Sequence, residues 1–173
     1  NDMPNRDYAL TMARYNLWQN DSLTEAAGTL SREERQKDRG AFFGSIERTL
    51  SHLLWADRTW FGRFAERPLP GTGIPESTGL IADWPTYLTE RRQLDTDILE
   101  WAKQLPSTWF DGDLSWFSGA VGRQVTLPKT VVILQMFNHQ THHRGQIHAM
   151  LTAAGARPQA TDIPFMPEAY ATR

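Results

Sequence analysis

The chain predicts an all-α fold: a four-helix bundle, up-and-down or crossover, with a small β-hairpin inserted between the third and fourth helices. Three observations carry this. Four long stretches repeat their apolar residues at helical spacing. Runs rich in proline and glycine separate them, and one short stretch between the third and fourth switches to aromatic and β-branched residues. At 173 residues the chain is the size of one domain with a core of its own. It shows no internal repeat or low-complexity linker, so residues 1–173 are read as a single domain.

The first helix spans residues 5 to about 28, with Tyr8, Met12, Tyr15, Leu23, Ala26 and Leu30 at helical spacing. Asn16 falls on that apolar side, where a buried amide needs hydrogen-bond partners and is expected to be structural. Ser31-Arg32-Glu33-Glu34 has the form of a capping box and predicts a short connecting helical turn. The second helix is expected over residues 40–65, with Phe42, Phe43, Ile46, Leu50, Leu53, Leu54, Trp60, Phe61 and Phe64 in a broad apolar arc. Asp57 lies inside that arc and calls for an ion-pair partner such as an arginine. Residues 66–81 hold three of the ten prolines and predict a long irregular loop over the end of the bundle. Asp83 caps the third helix, Leu88, Asp95, Ile98, Ala102 and Leu105 mark its inner side, and Pro106 ends it. Leu114 to Ser118 and Arg123 to Leu127, with Gly119 and Gly122 between them, form the predicted hairpin. Pro128 then opens the fourth helix and Gly155 stops it. The tail from Ala156 is expected to be irregular.

Composition narrows the partners. Eighteen Lys and Arg against twenty Asp and Glu leave no basic surface for nucleic acid. The longest apolar runs are a few residues, so neither a signal-peptide core nor a membrane span is expected, and the chain reads as cytoplasmic. It has no cysteine, which excludes disulfides, thiolate ligands and a thiol nucleophile, so a metal would be held by histidine and oxygen. Seven Trp and eight Phe point to an aromatic core or pocket.

Four of the five histidines lie in one run, residues 137–148: Phe-Asn-His-Gln-Thr-His-His-Arg-Gly-Gln-Ile-His. On a helix, Val132, Met136, His139, His143, Gln146 and Met150 follow one seam. His139 and His143 rise from adjacent turns as two ligands of one metal do; His139 with His142 shares a face nearly as well. Imidazoles in an apolar seam need acceptors or a metal. The spacing matches the zinc motif His-Glu-x-x-His, but Gln140 stands at the Glu position and cannot act as a general base. No carboxylate occurs in residues 129–155. His52, far upstream, lies beside the apolar arc of the second helix with Thr49 and Ala56 leaving space around it, and could face the pair.

With those residues placed, the chain resembles the DinB-like (DinB/YfiT-like) family of metal-binding four-helix bundles over almost its whole length. The resemblance rests on residues 139–146 and on His52-Leu53-Leu54 with residues 57–60; residues 114–128 also fit the family's hairpin. It implies a divalent metal, zinc, nickel, iron or manganese, bound by His52, His139 and His143. His142 becomes a rim residue and His148 ordinary surface.

Three imidazoles leave a metal with open positions for water or substrate. The resemblance implies a thiol-dependent S-transferase or isomerase acting on small electrophiles, with a low-molecular-weight thiol such as bacillithiol or mycothiol as cosubstrate. The alternatives are hydrolysis by hydroxide generated at the metal, for which no general base is evident, and a non-catalytic metal-binding stress-response module. A di-iron carboxylate bundle fits poorly, because the Glu-x-x-His pairs it needs are absent beside these histidines. The catalytic acid or base is not identified in the sequence. Relatives suggest a homodimer with a small-molecule substrate and neither nucleic acid nor membrane as partner.

Overall fold

A computed structural model describes residues 3–173. The chain is mostly helical with one two-stranded antiparallel sheet. Four long helices, α1 (Arg6–Gly28), α3 (Ile46–Phe64), α4 (Trp84–Gln104) and α5 (Lys129–Ala153), carry the core, and α2 (Arg32–Gln36) and α6 (Glu168–Ala171) are short. α1 packs against α4 and α5, and α3 packs against α5. Strands β1 (Asp113–Ser118) and β2 (Arg123–Pro128) pair in register, with Trp116 opposite Val125.

Local chemistry sets the helix starts. Asn5, Ser31, Ser45 and Asp83 each accept a backbone N–H three residues on, satisfying donors that the first helical turn leaves free. Gly155, at φ +87°, lets the chain turn back after α5 so that the Ala156 N–H reaches the Leu151 carbonyl at 3.0 Å.

Three expectations change. The second long helix begins at Ile46 rather than residue 40, because Gly40 and Gly44 adopt φ +72° and +87°, left-handed conformations that an α-helix cannot contain. Phe42 and Phe43 therefore leave the helix, and Phe42 is exposed. The proline-rich loop is not wholly irregular: Ile74–Gly79 forms a 3₁₀ turn packed on α3. The tail likewise holds a 3₁₀ turn, Ile163–Phe165, and α6.

The apolar interior divides into two clusters. One joins Leu17, Leu23, Ile46, Leu50, Leu54, Ile98 and Ile147. The other, at the hairpin end, joins Phe64, Ile133, Met136 and Phe137 with the partly buried Trp60, Trp101, Trp109 and Trp116. Part of the predicted face of α1 is displaced: Tyr8 and Met12 are half-buried, while Ala9, Ala13, Leu17 and Trp18 are fully covered alongside the expected Leu23.

Between the four long helices lies a buried polar network. Arg91 of α4 pairs with Asp57 of α3 at 2.9 Å and with Asp95, one turn along α4, at 2.5 Å. From α1, Asn16 and Asn20 donate to the Asp95 carboxylate at 2.8 and 3.0 Å. From α5, Gln140 donates to Asp57 at 3.1 Å and Arg144 to the Asn16 carbonyl oxygen at 2.7 Å. Each of these seven side chains belongs to a residue at most 5 % exposed. The two carboxylates and two guanidiniums cancel, which is what allows so much charge to be buried. The expected partner of Asp57 is thus Arg91, and Asn16 is the satisfied structural amide.

Removing one member strands the rest. Arg91→Met should cost about 3–5 kcal/mol of stability, because it leaves Asp57 and Asp95 buried without their cation. Glu90→Gln, which breaks the partly exposed Arg58–Glu90 pair, should cost no more than about 1 kcal/mol. Urea unfolding of both variants beside the wild type measures the contrast.

Candidate metal centre

The buried face of α5 is centred on Met136, Phe137, Gln140, Arg144 and Ile147 rather than on the histidine seam. His139 and His143 stand at its edge, half-buried and buried respectively, and face His52 of α3. The structure brings these three together: one ring nitrogen of each lies within 4.8 Å of the other two. His139 Nε2 is 3.0 Å from His143 Nε2 and 3.4 Å from His52 Nε2.

The remaining ring nitrogens explain why the Nε2 atoms converge. His52 Nδ1 is 2.8 Å from Ser77 Oγ, and His143 Nδ1 is 2.8 Å from Gln146 Oε1. With its N–H donated to these oxygens, each imidazole presents the lone pair of Nε2 to the common centre. Ser77 is itself fixed: it is fully buried, its carbonyl accepts from Ser51 Oγ, and Ser51 Oγ accepts from the Leu80 N–H. Phe43 covers the group, its ring 4.2 Å from that of His52 and 5.5 Å from that of His143.

This donor set suits a metal. Two nitrogens bound to one tetrahedral ion at about 2.0–2.1 Å lie roughly 3.3 Å apart, close to the two distances observed. The lone pairs that His52 and His143 present to this point, with the His139 Nε2 between them, make a set of neutral nitrogen donors that a cation can occupy. His139 Nδ1 has no hydrogen-bond partner, so nothing there competes to turn its ring away. Burial, then the neighbouring His143, lowers the His52 pKa to about 4. Burial, then His143, His52 and His142, lowers that of His139 to about 3. Burial, with a smaller contribution from His142, also lowers that of His143, against the hydrogen bond it donates to Gln146. All three are neutral at pH 7, the state in which imidazole binds metal.

His52 and His139 open onto a cavity of about 550 Å³. The α3 face contributes Trp55, Ala56, Thr59, Trp60 and Arg63; the loop before α4 contributes Leu69 to Pro75 in part; the hairpin contributes Trp116 and its tip. The long loop therefore covers the site, as its length suggested. No carboxylate lines the cavity among the described residues.

The other histidines separate from this centre. His142 is exposed on the rim, its ring 4.9 Å from that of His143. His148, expected on open surface, is half-buried beside a second cavity of about 280 Å³ lined by Tyr15 and Arg144. Ser77, Gln146 as a hydrogen-bond partner, Phe43 and Arg63 were missed by sequence reasoning. A serine in a proline-rich loop carries no periodic signal, and Phe43 was assigned to a helix that begins later. Gln146, three residues after His143, was detectable as a same-face neighbour.

No helix among the described residues is long and apolar enough to cross a membrane. Comparison with known proteins places this geometry in context. The DinB family model matches residues 3–173. Protein DinB of Bacillus subtilis (strain 168) is 29 % identical over 168 residues, covering 90 % of this chain and 91 % of the relative.

Depressed histidine pKa values make stability depend on pH. Below the ordinary value of 6.5, the unfolded chain takes up protons that folded His52 and His139 refuse until about pH 4 and 3. Their contribution is therefore complete above 6.5 and lost as pH falls through that window. Metal-free wild type should lose urea resistance between pH 7 and 4.5 more steeply than His139→Gln.

Proposed function

The chain belongs to the DinB family, and from that premise we propose that it is a metal-dependent enzyme, a thiol S-transferase or isomerase of small electrophilic substrates, with a divalent ion held by His52, His139 and His143. The observation that carries this reading is the convergence of three neutral imidazoles, two of them oriented by Ser77 and Gln146, at the edge of an aromatic cavity. A three-histidine set leaves an ion with open positions, where it supplies Lewis acidity and lowers the pKa of a thiol. The architecture we attach to this reading is one domain whose four long helices form a bundle, with the site between α3 and α5.

The chain's own residues do the rest. Ser77 and Gln146 hold the imidazole planes, Phe43 excludes water from the side of His52 and His143, and Trp55, Trp60 and Trp116 give an apolar body a surface to lie on. No Asp or Glu faces the cavity among the described residues, so thiol and water alike would depend on the ion rather than on a carboxylate to lose a proton. The requirement for a thiol cosubstrate is what separates the two readings.

Untagged protein purified without a nickel column should contain about one divalent metal per chain by elemental analysis, lost in His52→Ala and His139→Ala. Ser77→Ala should keep the fold and bind metal about 10–100-fold more weakly, because His52 loses its orienting acceptor. Turnover of electrophiles should require both the metal and a low-molecular-weight thiol. Turnover without thiol would replace the transferase reading with hydrolysis. Wild type that stays empty when supplied with zinc, nickel, iron and manganese would overturn the enzyme reading.

A further inference from the structure

The cavity beside the histidines has a charged far end. His52, Trp55, Ala56, Thr59, Trp60 and Arg63 recur at three- and four-residue spacing, so they form one continuous stripe on α3. From His52 to Arg63 that stripe covers three turns, about 16 Å along the axis at ~1.5 Å per residue. A helical side chain leans toward its own N-terminus, and Arg63 does so: its guanidinium lies 4.7 Å from the centre of the Trp60 ring and 5.2 Å from that of Trp116 on the hairpin.

Contact with the two indoles, which meet each other edge-on, gives the guanidinium no hydrogen-bond acceptor. Arg63 pairs with no carboxylate among the described residues, and its Nε is buried without a hydrogen-bond partner. Such donors carry a cost until an acceptor arrives. Among the described residues every other buried or half-buried arginine reaches at least one acceptor, Arg14 the Arg173 carbonyl, Arg35 the Leu30 carbonyl, Arg39 Glu34, Arg58 Glu90, Arg91 its two aspartates and Arg144 Asn16, even where a single donor of the group is left over. Arg63 also differs in facing a cavity whose walls are otherwise apolar or uncharged, apart from the histidines at the opposite end. Indole surfaces on either side would hold a flat or aliphatic body, and the planar edge of Arg63 matches a carboxylate.

We propose that Arg63 is the anion-binding subsite of this cavity and that the ligand is an amphipathic organic carboxylate, its charged group on Arg63 and its apolar body along Trp55, Trp60 and Trp116. This rests on the proposed function only for the statement that the ligand's other end reacts at the histidines; the binding subsite stands apart from the metal. The carboxylate can belong to the electrophile or to the thiol cosubstrate, since either would extend from the histidines toward Arg63. Arg63 is thus a specificity-determining residue that selects ligands by charge and by the separation of that charge from the reacting end.

The test uses the full-length protein with 2-naphthoate and its neutral analogue 2-naphthamide as probes, titrated by calorimetry, with the indole N–H signals followed by nuclear magnetic resonance. Wild type should bind the carboxylate about tenfold more tightly than the amide, with shifts among the indole signals. Arg63→Met, which retains an unbranched apolar stem against the indoles, should bring the two affinities within about twofold of each other while leaving amide binding and metal content unchanged. The same titrations in His52→Ala/His139→Ala separate the two claims. Carboxylate preference that survives there but not in Arg63→Met supports the subsite even if no metal is found. Preference that survives in Arg63→Met and vanishes in the histidine variant assigns the anion to the metal and overturns the proposal, as does equal affinity for the two probes in wild type. Repeating the wild-type and Arg63→Met comparison with bacillithiol and with its dimethyl ester, in which both malate carboxylates are masked, in place of the naphthyl pair tells whether the thiol is the carboxylate's source. Discrimination there that depends on Arg63 assigns it to the thiol, and none assigns it to the electrophile.

Discussion

The ion pair between Arg91 and Asp57 is the constraint on which the rest depends. It joins α4 to α3 inside the protein, where neither partner has water to fall back on. Asp95 completes the neutralisation of Arg91, and amides from α1 and α5 take up the remaining lone pairs. Apolar packing tolerates small rotations of one helix against another, whereas a buried charge tolerates almost none, because each hydrogen bond has its own direction. The network therefore specifies how the four long helices are turned about their axes.

That specification reaches the histidines directly. Gln140 follows His139 in the chain, and Asp57 lies little more than one turn beyond His52. The hydrogen bond between Gln140 and Asp57 thus sets the rotation of α5 against α3 beside the three imidazoles. Gln140 occupies the place of the glutamate in the helical zinc motif, but its side chain points into the core rather than at the metal centre. Its replacement of glutamate is consistent with that position, since a second carboxylate against Asp57 would be unpaired.

Polypeptide from five regions completes the centre. α3 and α5 bring the three histidines, the 3₁₀ turn brings Ser77, the turn before α3 brings Phe43, and the hairpin brings Trp116. The hairpin is anchored by its aromatic residues: Trp116 meets Trp60 edge-on at 5.3 Å, so a two-stranded sheet too small to stand alone borrows its stability from the helical core. The cavity is the space left between that hairpin, the long loop and the exposed face of α3.

Much of this was legible in the amino-acid sequence. Helical periodicity, caps at Ser31 and Asp83, the Gly155 stop and the hairpin pattern each depend on a few neighbouring residues, and the elements they predict form. The spacing of His139 and His143 on one helix was equally local. The bundle reading allowed His52 to face them, the family resemblance named the three as one set, and the structure brings them together. Where glycine conformation mattered, local reading failed: the apolar arc continued through Phe42 and Phe43, but left-handed backbone at Gly40 and Gly44 ended the helix before it reached them. The sequence by itself determined which segments are helical and which imidazoles share a face, because those follow from contacts within a few residues. Only the tertiary structure decided that Gln140 and Arg144 are core, that Asp57 belongs to Arg91, that Ser77 orients His52 and that Arg63 closes the cavity. Those outcomes depend on which charges and donors meet across helices, and no local periodicity encodes them.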